Sequence, residues 1–115
     1  CLAQQVRMLG EKGDIIVLIS SSGNSPNVIE AAKAARAKFM EVISFTGFGG
    51  GKLQALSDVN IHVPAENYGI VEDSHQMLMH VFAQFLYLNR GVSVNLGKAR
   101  LPRFPMIAPE REGHA

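Results

Sequence analysis

Two runs of apolar and β-branched residues, separated by a stretch of helical spacing, constrain what this chain can fold into more than any other feature. Residues 14–19 and 41–46 have the length and composition of buried strands, and we expect the first to be a central strand buried on both faces. Between them, Val28, Ile29 and Ala32 recur at helical spacing among good helix formers. A strand, a helix and a second strand in this order predict a βαβ unit with parallel strands.

The alternation of strand and helix signals continues along the chain. Residues 52–57 predict a short helix, residues 59–63 a third strand, and residues 72–89 an amphipathic helix that follows a loop at residues 65–70. Residues 2–9 predict a further helix ahead of the first strand. This alternation predicts an α/β fold, in which right-handed crossovers build a parallel sheet with helices on both faces.

Composition and charge exclude two classes of partner. The chain has 115 residues, enough for one domain, with 11 basic and 10 acidic residues and 7% aromatic residues. This composition supplies neither the cationic field nor the stacking surfaces of a nucleic-acid-binding protein. The apolar stretches fall short of the roughly 20 residues that cross a membrane. The single cysteine, Cys1, forms no internal disulfide and fits a reducing compartment, so we expect a cytoplasmic protein.

The alternating pattern ends before the last quarter of the chain. We assign residues 1–90 to one domain and residues 91–115, which contain Pro102, Pro105 and Pro109, to an irregular tail or arm. Two interpretations of this segment stay open, a disordered tail and an apolar strap on a neighbouring subunit. The low content of charged residues, 18%, leaves apolar surface for a partner and favours self-association.

A polar loop with many hydroxyl groups joins the first strand to the helix after it. Its sequence at residues 20–25 is Ser-Ser-Ser-Gly-Asn-Ser, at the carboxyl edge of the predicted sheet, where α/β proteins bind ligands. Ser25 can cap the helix, Pro26 suits its first turn, and the open N–H groups of that turn favour an anion. The loop has neither the lysine of a P-loop nor the spacing of a dinucleotide-binding loop. We therefore predict a site for a phosphate monoester; the alternative is that these serines only shape a turn.

A glycine-rich segment follows the second strand at the same predicted edge. Thr46 and Lys52 bracket residues 47–51, which are Gly-Phe-Gly-Gly-Gly. Backbone at these glycines can approach a ligand closely, and both flanking side chains could add contacts to it. The alternative is a flexible turn that leads into a helix.

The beginning of the last predicted helix carries a second group of chemically active side chains. Glu72, Gln76 and His80 share a helix face, because each step of four residues turns by only about 40°. His75 and His80 diverge by about 140°, so one histidine at most faces a ligand together with Glu72. His80 is the candidate for proton transfer or metal binding; the alternative is that both histidines are ordinary, partly buried residues. Glu72 and His80 could share a metal ion only if Glu72 precedes the regular helix, and otherwise they flank the substrate.

These residues together resemble the sugar isomerase (SIS) domain and, within it, the phosphoheptose isomerase group. The resemblance covers about residues 10–90. It is carried by Ile19 to Ser25 with Asn27 to Ile29, by Thr46 and Gly47 with Gly50 to Lys52, and by Val63 and Pro64 followed by Glu72 and His80. The implied fold is a flavodoxin-like, SIS-type three-layer sandwich, which in this chain is incomplete at its N-terminus.

The resemblance also implies roles for individual residues. It places the phosphate of a sugar phosphate on the hydroxyls of Ser20, Ser21, Ser22 and Ser25. It implies that His80 transfers a proton in catalysis and that Glu72, which stands where the group commonly has Gln, takes a catalytic, substrate or zinc-ligand position. No cofactor is required by the resemblance, and zinc held by Glu72 and His80 is the metal that it allows.

The activity implied is isomerisation of sedoheptulose 7-phosphate to D-glycero-D-manno-heptose 7-phosphate, a step toward the heptose of bacterial lipopolysaccharide. The resemblance further implies a cytoplasmic homotetramer, and a second catalytic group and a further phosphate loop in an N-terminal half that precedes the part resembled here. We therefore expect these 115 residues alone to bind the substrate but to turn it over poorly. The alternatives are a non-catalytic phosphosugar-binding or protein-interaction SIS module, and another SIS enzyme such as an aminosugar isomerase.

Overall fold

A computed structural model of the chain describes residues 1–91. Helices and strands alternate within this range in the predicted order, and the predicted parallel α/β class is confirmed. The elements are α1 (Leu2–Leu9), β1 (Ile15–Ser20), α2 (Pro26–Ala37), β2 (Glu41–Thr46), α3 (Gly51–Ala55), β3 (Val59–His62) and α4 (Tyr68–Leu88).

The three strands form one parallel sheet in the order β1-β2-β3. Their carboxyl ends are level, because Ser20 pairs with Thr46 and Thr46 pairs with His62. The loops that leave β1 and β2 therefore start side by side at one edge of the sheet. This edge is where the sequence placed the polar loop and the glycine-rich segment.

The apolar core lies between the sheet and α2. Leu18 of β1 and Val42 of β2 meet Ile29 of α2 and Leu53 of α3 on one face of the sheet. The α2 residues that face this core include Ala31, Ala32 and Ala35, which are fully buried. Their small side chains let the helix backbone approach the strands, so α2 holds its N-terminus firmly at the carboxyl edge.

Strand β1 differs from its prediction as a central strand buried on both faces. Within residues 1–91 it pairs with β2 alone and lies at one side of the sheet. Ile15, Val17 and Ile19 are 61%, 36% and 38% exposed, whereas Leu18 and Ser20 are buried. The alternation arises because successive side chains point to opposite faces, and the described helices cover β1 only on the face of Leu18.

Helix α4 begins at Tyr68, four residues before the predicted start at residue 72. The reason is a side-chain cap: Asn67 Oδ1 accepts a hydrogen bond of 3.0 Å from the N–H of Ile70. Asparagine is among the strongest N-cap residues, so the signal was present in the sequence. The first turns of α4 contact the other face of the sheet, where the His75 ring packs edge-on against Phe45 with centroids 5.8 Å apart.

The chain divides into two compact units, Cys1–Gln76 and Met77–Ala115. The first unit contains the whole sheet, and the described part of the second is the remainder of α4 with the turn after it. The predicted tail at residues 91–115 lies outside the described residues except for Gly91, so its boundary stays a prediction. None of the helices within residues 1–91 is long and apolar enough to span a membrane.

Asp58 fastens the start of β3 to its neighbours. Its Oδ2 accepts a 2.7 Å hydrogen bond from the N–H of Val42, and its Oδ1 lies 3.3 Å from Nη1 of Arg36. The Val42 N–H lowers the pKa of the Asp58 carboxyl, and the Arg36 guanidinium lowers it further against the opposing effect of burial. Because the pKa is lower in the folded chain, the ionised carboxylate stabilises the fold above its unfolded pKa, and this stabilisation is lost as the pH falls through the folded pKa.

We expect Asp58→Asn to destabilise the chain at about pH 7 and to cost less at an acidic pH below the unfolded aspartate pKa of about 3.9, because the stabilisation by the ionised carboxylate is lost as the pH falls. Urea unfolding of both proteins at the two pH values measures the difference. Glu30→Gln is the control, because it removes only an exposed contact with Lys33 and should change the unfolding free energy by no more than about 0.5 kcal/mol. An Asp58→Asn cost that is equal at both pH values would contradict the charged role of Asp58.

Candidate functional site

The polar loop at residues 20–25 folds into a turn that its own hydroxyls organise. Ser20 Oγ accepts a 3.1 Å hydrogen bond from the N–H of Gly23, and Ser22 Oγ accepts one of 3.1 Å from the N–H of Asn24. A hydroxyl that accepts one bond still carries its own proton. Both serines can therefore shape the turn and donate to a ligand, so the two interpretations of these residues do not exclude each other.

Ser25 occupies the N-cap position of α2, as predicted, but its side chain forms no capping hydrogen bond. Pro26 follows at the first helical position, also as predicted. The Ser25 hydroxyl, which is half-buried, therefore stands at the N-terminus of a 12-residue helix without being used by that helix. The helix dipole and the unpaired N–H groups of its first turn favour an anion there. This geometry disfavours the interpretation of Ser25 as a cap alone.

The loop after β2 is bonded directly to this turn. The N–H of Gly47 donates to the carbonyl of Ser21 at 2.7 Å, and the N–H of Lys52 donates to Asn24 Oδ1 at 2.9 Å. A third bond of 2.9 Å runs from the N–H of Leu53 to the carbonyl of Gly23. The structure thus brings the two loops together, as their positions in the sequence predicted.

Glycine is required where the two loops cross. Gly23 has φ +74°, a left-handed conformation that other residues rarely adopt, and a Cβ on it would collide with the carbonyl of Gly50. Gly51, with φ +59°, faces the same crossing, and a Cβ there would lie 2.5 Å from the carbonyl carbon of Gly23. The crossing therefore depends on backbone atoms that approach more closely than side chains allow.

The two residues that bracket the glycine-rich segment have different positions. Thr46 is fully buried, and its Oγ1 is bonded to Asn60 Nδ2 at 3.0 Å and to His62 Nδ1 at 3.1 Å. Both hydrogen bonds go to the neighbouring strand β3, so the Thr46 side chain does not face a ligand. Lys52 is exposed and forms no ion pair with any side chain of residues 1–91. It remains a candidate for an added positive charge.

Sequence reasoning missed a polar network on the α3 side of the sheet. Asn60 Nδ2 donates to Ser44 Oγ at 2.8 Å, and the Ser44 hydroxyl shares a 2.6 Å bond with that of Ser57. The strand register explains it, because Asn60 and His62 pair with Ser44 and Thr46. The signal was the period-2 alternation of polar side chains in both strands, which becomes informative only once their pairing is known.

His75 is buried and belongs to the framework of the fold. Its Nε2 donates a 2.8 Å hydrogen bond to the carbonyl of Thr46, because a carbonyl oxygen can only accept. Its Nδ1 is buried without a partner among the described residues. That one histidine at most faces a ligand together with Glu72 stays a prediction.

Glu72 and His80 are both exposed on α4, Glu72 in the first unit and His80 in the second. Glu72 lies inside the regular helix, so the condition for sharing one metal ion with His80 is not met. In residues 1–91 no three His, Cys, Asp or Glu side chains come together in a group that could hold a metal ion. The zinc site at Glu72 and His80 and the roles of both residues stay predictions.

Comparison with known proteins extends the similarity beyond the loops. Residues 1–47 match the family model described as SIS domain. Over 81 residues, 68% of this chain, it is 47% identical to the phosphoheptose isomerase of Aromatoleum aromaticum and 48% identical to one from Neisseria meningitidis serogroup C. These stretches cover 41% of each relative, so the chain matches less than half the length of these curated relatives.

Solved structures give the same result for the fold. A phosphoheptose isomerase from Neisseria gonorrhoeae superposes with a TM-score of 0.68 at 46% identity, over 70% of this chain and 46% of that one. A phosphoheptose isomerase from Francisella tularensis superposes with a TM-score of 0.67 at 35% identity, over 70% of this chain and 44% of that one. The resemblance to the SIS domain and the phosphoheptose isomerase group is thereby confirmed.

Proposed function

We propose that this SIS-domain chain binds a sugar phosphate as part of a phosphoheptose isomerase. The observation that carries the proposal is the Ser25 hydroxyl, which stands unused at the N-terminus of α2 beside a turn of three further serines. The similarity to phosphoheptose isomerases in sequence and fold supports the choice of substrate. The substrate proposed is sedoheptulose 7-phosphate, and the product is D-glycero-D-manno-heptose 7-phosphate.

The phosphate group is the part of the substrate that the loop suits. Its oxygens accept hydrogen bonds from the hydroxyls of Ser20, Ser21, Ser22 and Ser25 and from the first N–H groups of α2. Hydrogen bonds to charged groups contribute roughly 1.5–3 kcal/mol each, about twice those between neutral groups. Because Lys52 adds its charge from the next loop, the site attracts a dianion without a metal ion.

The reaction moves a hydrogen between neighbouring carbons and needs no oxidant. A base removes a proton from C1 of the ketose, which gives an enediol; a proton then returns to C2, while O1 loses a proton and O2 gains one. We propose His80 for proton transfer, because its imidazole is exposed and carries one nitrogen that can accept a proton and one that can donate one. We propose that Glu72 binds the sugar or acts as the second acid-base group. No step is assigned to a metal.

The setting of the reaction is proposed on the same grounds. We propose a cytoplasmic location, because sugar phosphates are intracellular metabolites. The proposed product is a precursor of lipopolysaccharide heptose. The homotetramer implied by the resemblance stays a prediction. The exposed apolar face of Ile15, Val17 and Ile19 offers a surface on which a further protein segment or subunit can pack.

The test follows the conversion of sedoheptulose 7-phosphate by NMR, which reports binding and product in one sample. We expect slow formation of the aldoheptose phosphate, a loss of roughly 10²- to 10⁴-fold in His80→Ala, and unchanged substrate affinity in that variant. Gln84→Ala, an exposed substitution one turn later on α4, is the control and should retain turnover. Turnover retained in His80→Ala would contradict the catalytic role of His80. Binding without turnover in the wild type would favour the non-catalytic phosphosugar module.

A further inference from the structure

An aromatic pair stands at the carboxyl edge of the sheet, beside the serine turn. Phe48, the second residue after β2, packs its ring against Tyr68 at the start of α4, with ring centroids 4.7 Å apart and planes at 54°. Phe48 is half-buried and Tyr68 is 58% exposed. The pair therefore presents aromatic surface to solvent within the first unit of the chain.

The backbone of Phe48 is held in an unfavourable conformation. Its φ is +49°, in the left-handed region, although Gly47 and Gly49 to Gly51 surround it. The N–H of Phe48 donates to the carbonyl of Ala65 at 3.0 Å, which fixes the residue there. Glycine would adopt this conformation without strain, so the ring is kept at a position that costs the fold stability.

The position of Phe48 links it to the proposed phosphate site. On one side, Gly47 donates its N–H to the Ser21 carbonyl; on the other, Gly50 lies against Gly23. Phe48 thus belongs to the short piece of loop that lies directly against the serine turn. Aromatic rings offer apolar faces to C–H groups, and a tyrosine adds one hydroxyl for orientation.

We propose that Phe48 and Tyr68 are specificity-determining residues that hold the carbon chain of the sugar phosphate. The rings contact C–H groups of the sugar, and the Tyr68 hydroxyl exchanges a hydrogen bond with one of its hydroxyls. The inference rests on the proposed function, because the serine turn must hold the phosphate for the carbon chain to reach the pair. It assigns the affinity for the phosphate to the serine turn and the preference for the sugar to Phe48 and Tyr68.

The experiment compares two ligands, inorganic phosphate and sedoheptulose 7-phosphate, by calorimetric titration of the full chain. In Phe48→Gly we expect an unchanged affinity for inorganic phosphate and an affinity for the sugar phosphate that is roughly tenfold weaker. Tyr68→Ala should have the same selective effect, and it keeps the test independent of the altered loop backbone. Phe48→Gly should also unfold at an equal or higher urea concentration, because glycine relieves the strain.

Phe39→Gly is a matched control. Phe39 also has a positive φ, +61°, and is 75% exposed, but it follows α2 at the opposite end of the strands. Its substitution should relieve strain and leave the affinity for both ligands unchanged. Two results would overturn the inference and leave the phosphate site standing. One is an equal loss of affinity for both ligands in Phe48→Gly and Tyr68→Ala, and the other is an unchanged affinity for the sugar phosphate. A wild-type chain that binds neither ligand would contradict the proposed function and this inference with it.

Discussion

Gly23→Ala is expected to lower the free energy of unfolding by about 3 kcal/mol or more. A left-handed conformation costs a non-glycine residue roughly 1–2 kcal/mol, and forcing a methyl group into a filled space costs a further 1–3 kcal/mol. Both costs apply, because Gly23 has φ +74° and its Cβ would collide with the Gly50 carbonyl. The two loops must separate to relieve the collision, so the variant should also lose phosphate binding.

Gly13→Ala separates the two costs. Gly13 has φ +90°, but a Cβ there meets nothing within 4 Å. Its substitution should therefore cost only about 1–2 kcal/mol, the conformational part alone, and leave phosphate binding unchanged. Urea unfolding followed by circular dichroism measures both variants. Equal losses at the two positions would show that the contact between the loops contributes nothing to stability.

Ser25→Ala is expected to weaken the binding of sugar phosphate and of inorganic phosphate by roughly tenfold to a hundredfold. This range corresponds to the loss of one hydrogen bond to a charged group. The free energy of unfolding should change by no more than about 0.5 kcal/mol, whereas removing an N-cap serine ordinarily costs about 1 kcal/mol. The difference arises because the Ser25 side chain makes no capping bond.

Ser57→Ala is the control for Ser25→Ala, and we expect it to change stability rather than ligand affinity. The Ser57 hydroxyl is bonded to Ser44 at 2.6 Å and to the carbonyl of Leu53 at 2.7 Å, inside the polar network of the sheet. Its removal should lower stability and leave ligand affinity unchanged. If Ser25→Ala instead lost stability and kept its affinity, Ser25 would be a helix cap, and the assignment of the phosphate site would be wrong.

The elements of the fold were largely predictable because their signals are local. The β-branched run at residues 41–46 coincides with β2, and the helical spacing at residues 28–32 lies within α2. Helix α4 starts four residues before the predicted residue 72, because Asn67 caps it there and amphipathic spacing alone does not mark a cap. The exposure of β1 could not be predicted, since it depends on which segments cover the sheet.

The candidate site was predictable in position but not in detail. The serine turn and the glycine-rich segment follow adjacent parallel strands, which is sufficient to place them together. The hydrogen bond between Thr46 and His62 depends on the strand register. The inward position of His75 depends on how α4 packs on the sheet. Residue spacing becomes informative about these contacts only once the pairing of the strands and the docking of the helix are known. Phe48 was likewise overlooked, because its positive φ is imposed by the contacts of its loop.

The most direct test of the central claim is an NMR titration of the ¹⁵N-labelled chain with sedoheptulose 7-phosphate and, separately, with sedoheptulose. We expect the phosphate ester to shift the amide signals of residues 20–25, 27 and 28, in the serine turn and the first turn of α2, at concentrations at which the free sugar shifts none of them. Equal shifts with both sugars, or no shift in this segment with the phosphate ester, would contradict the account.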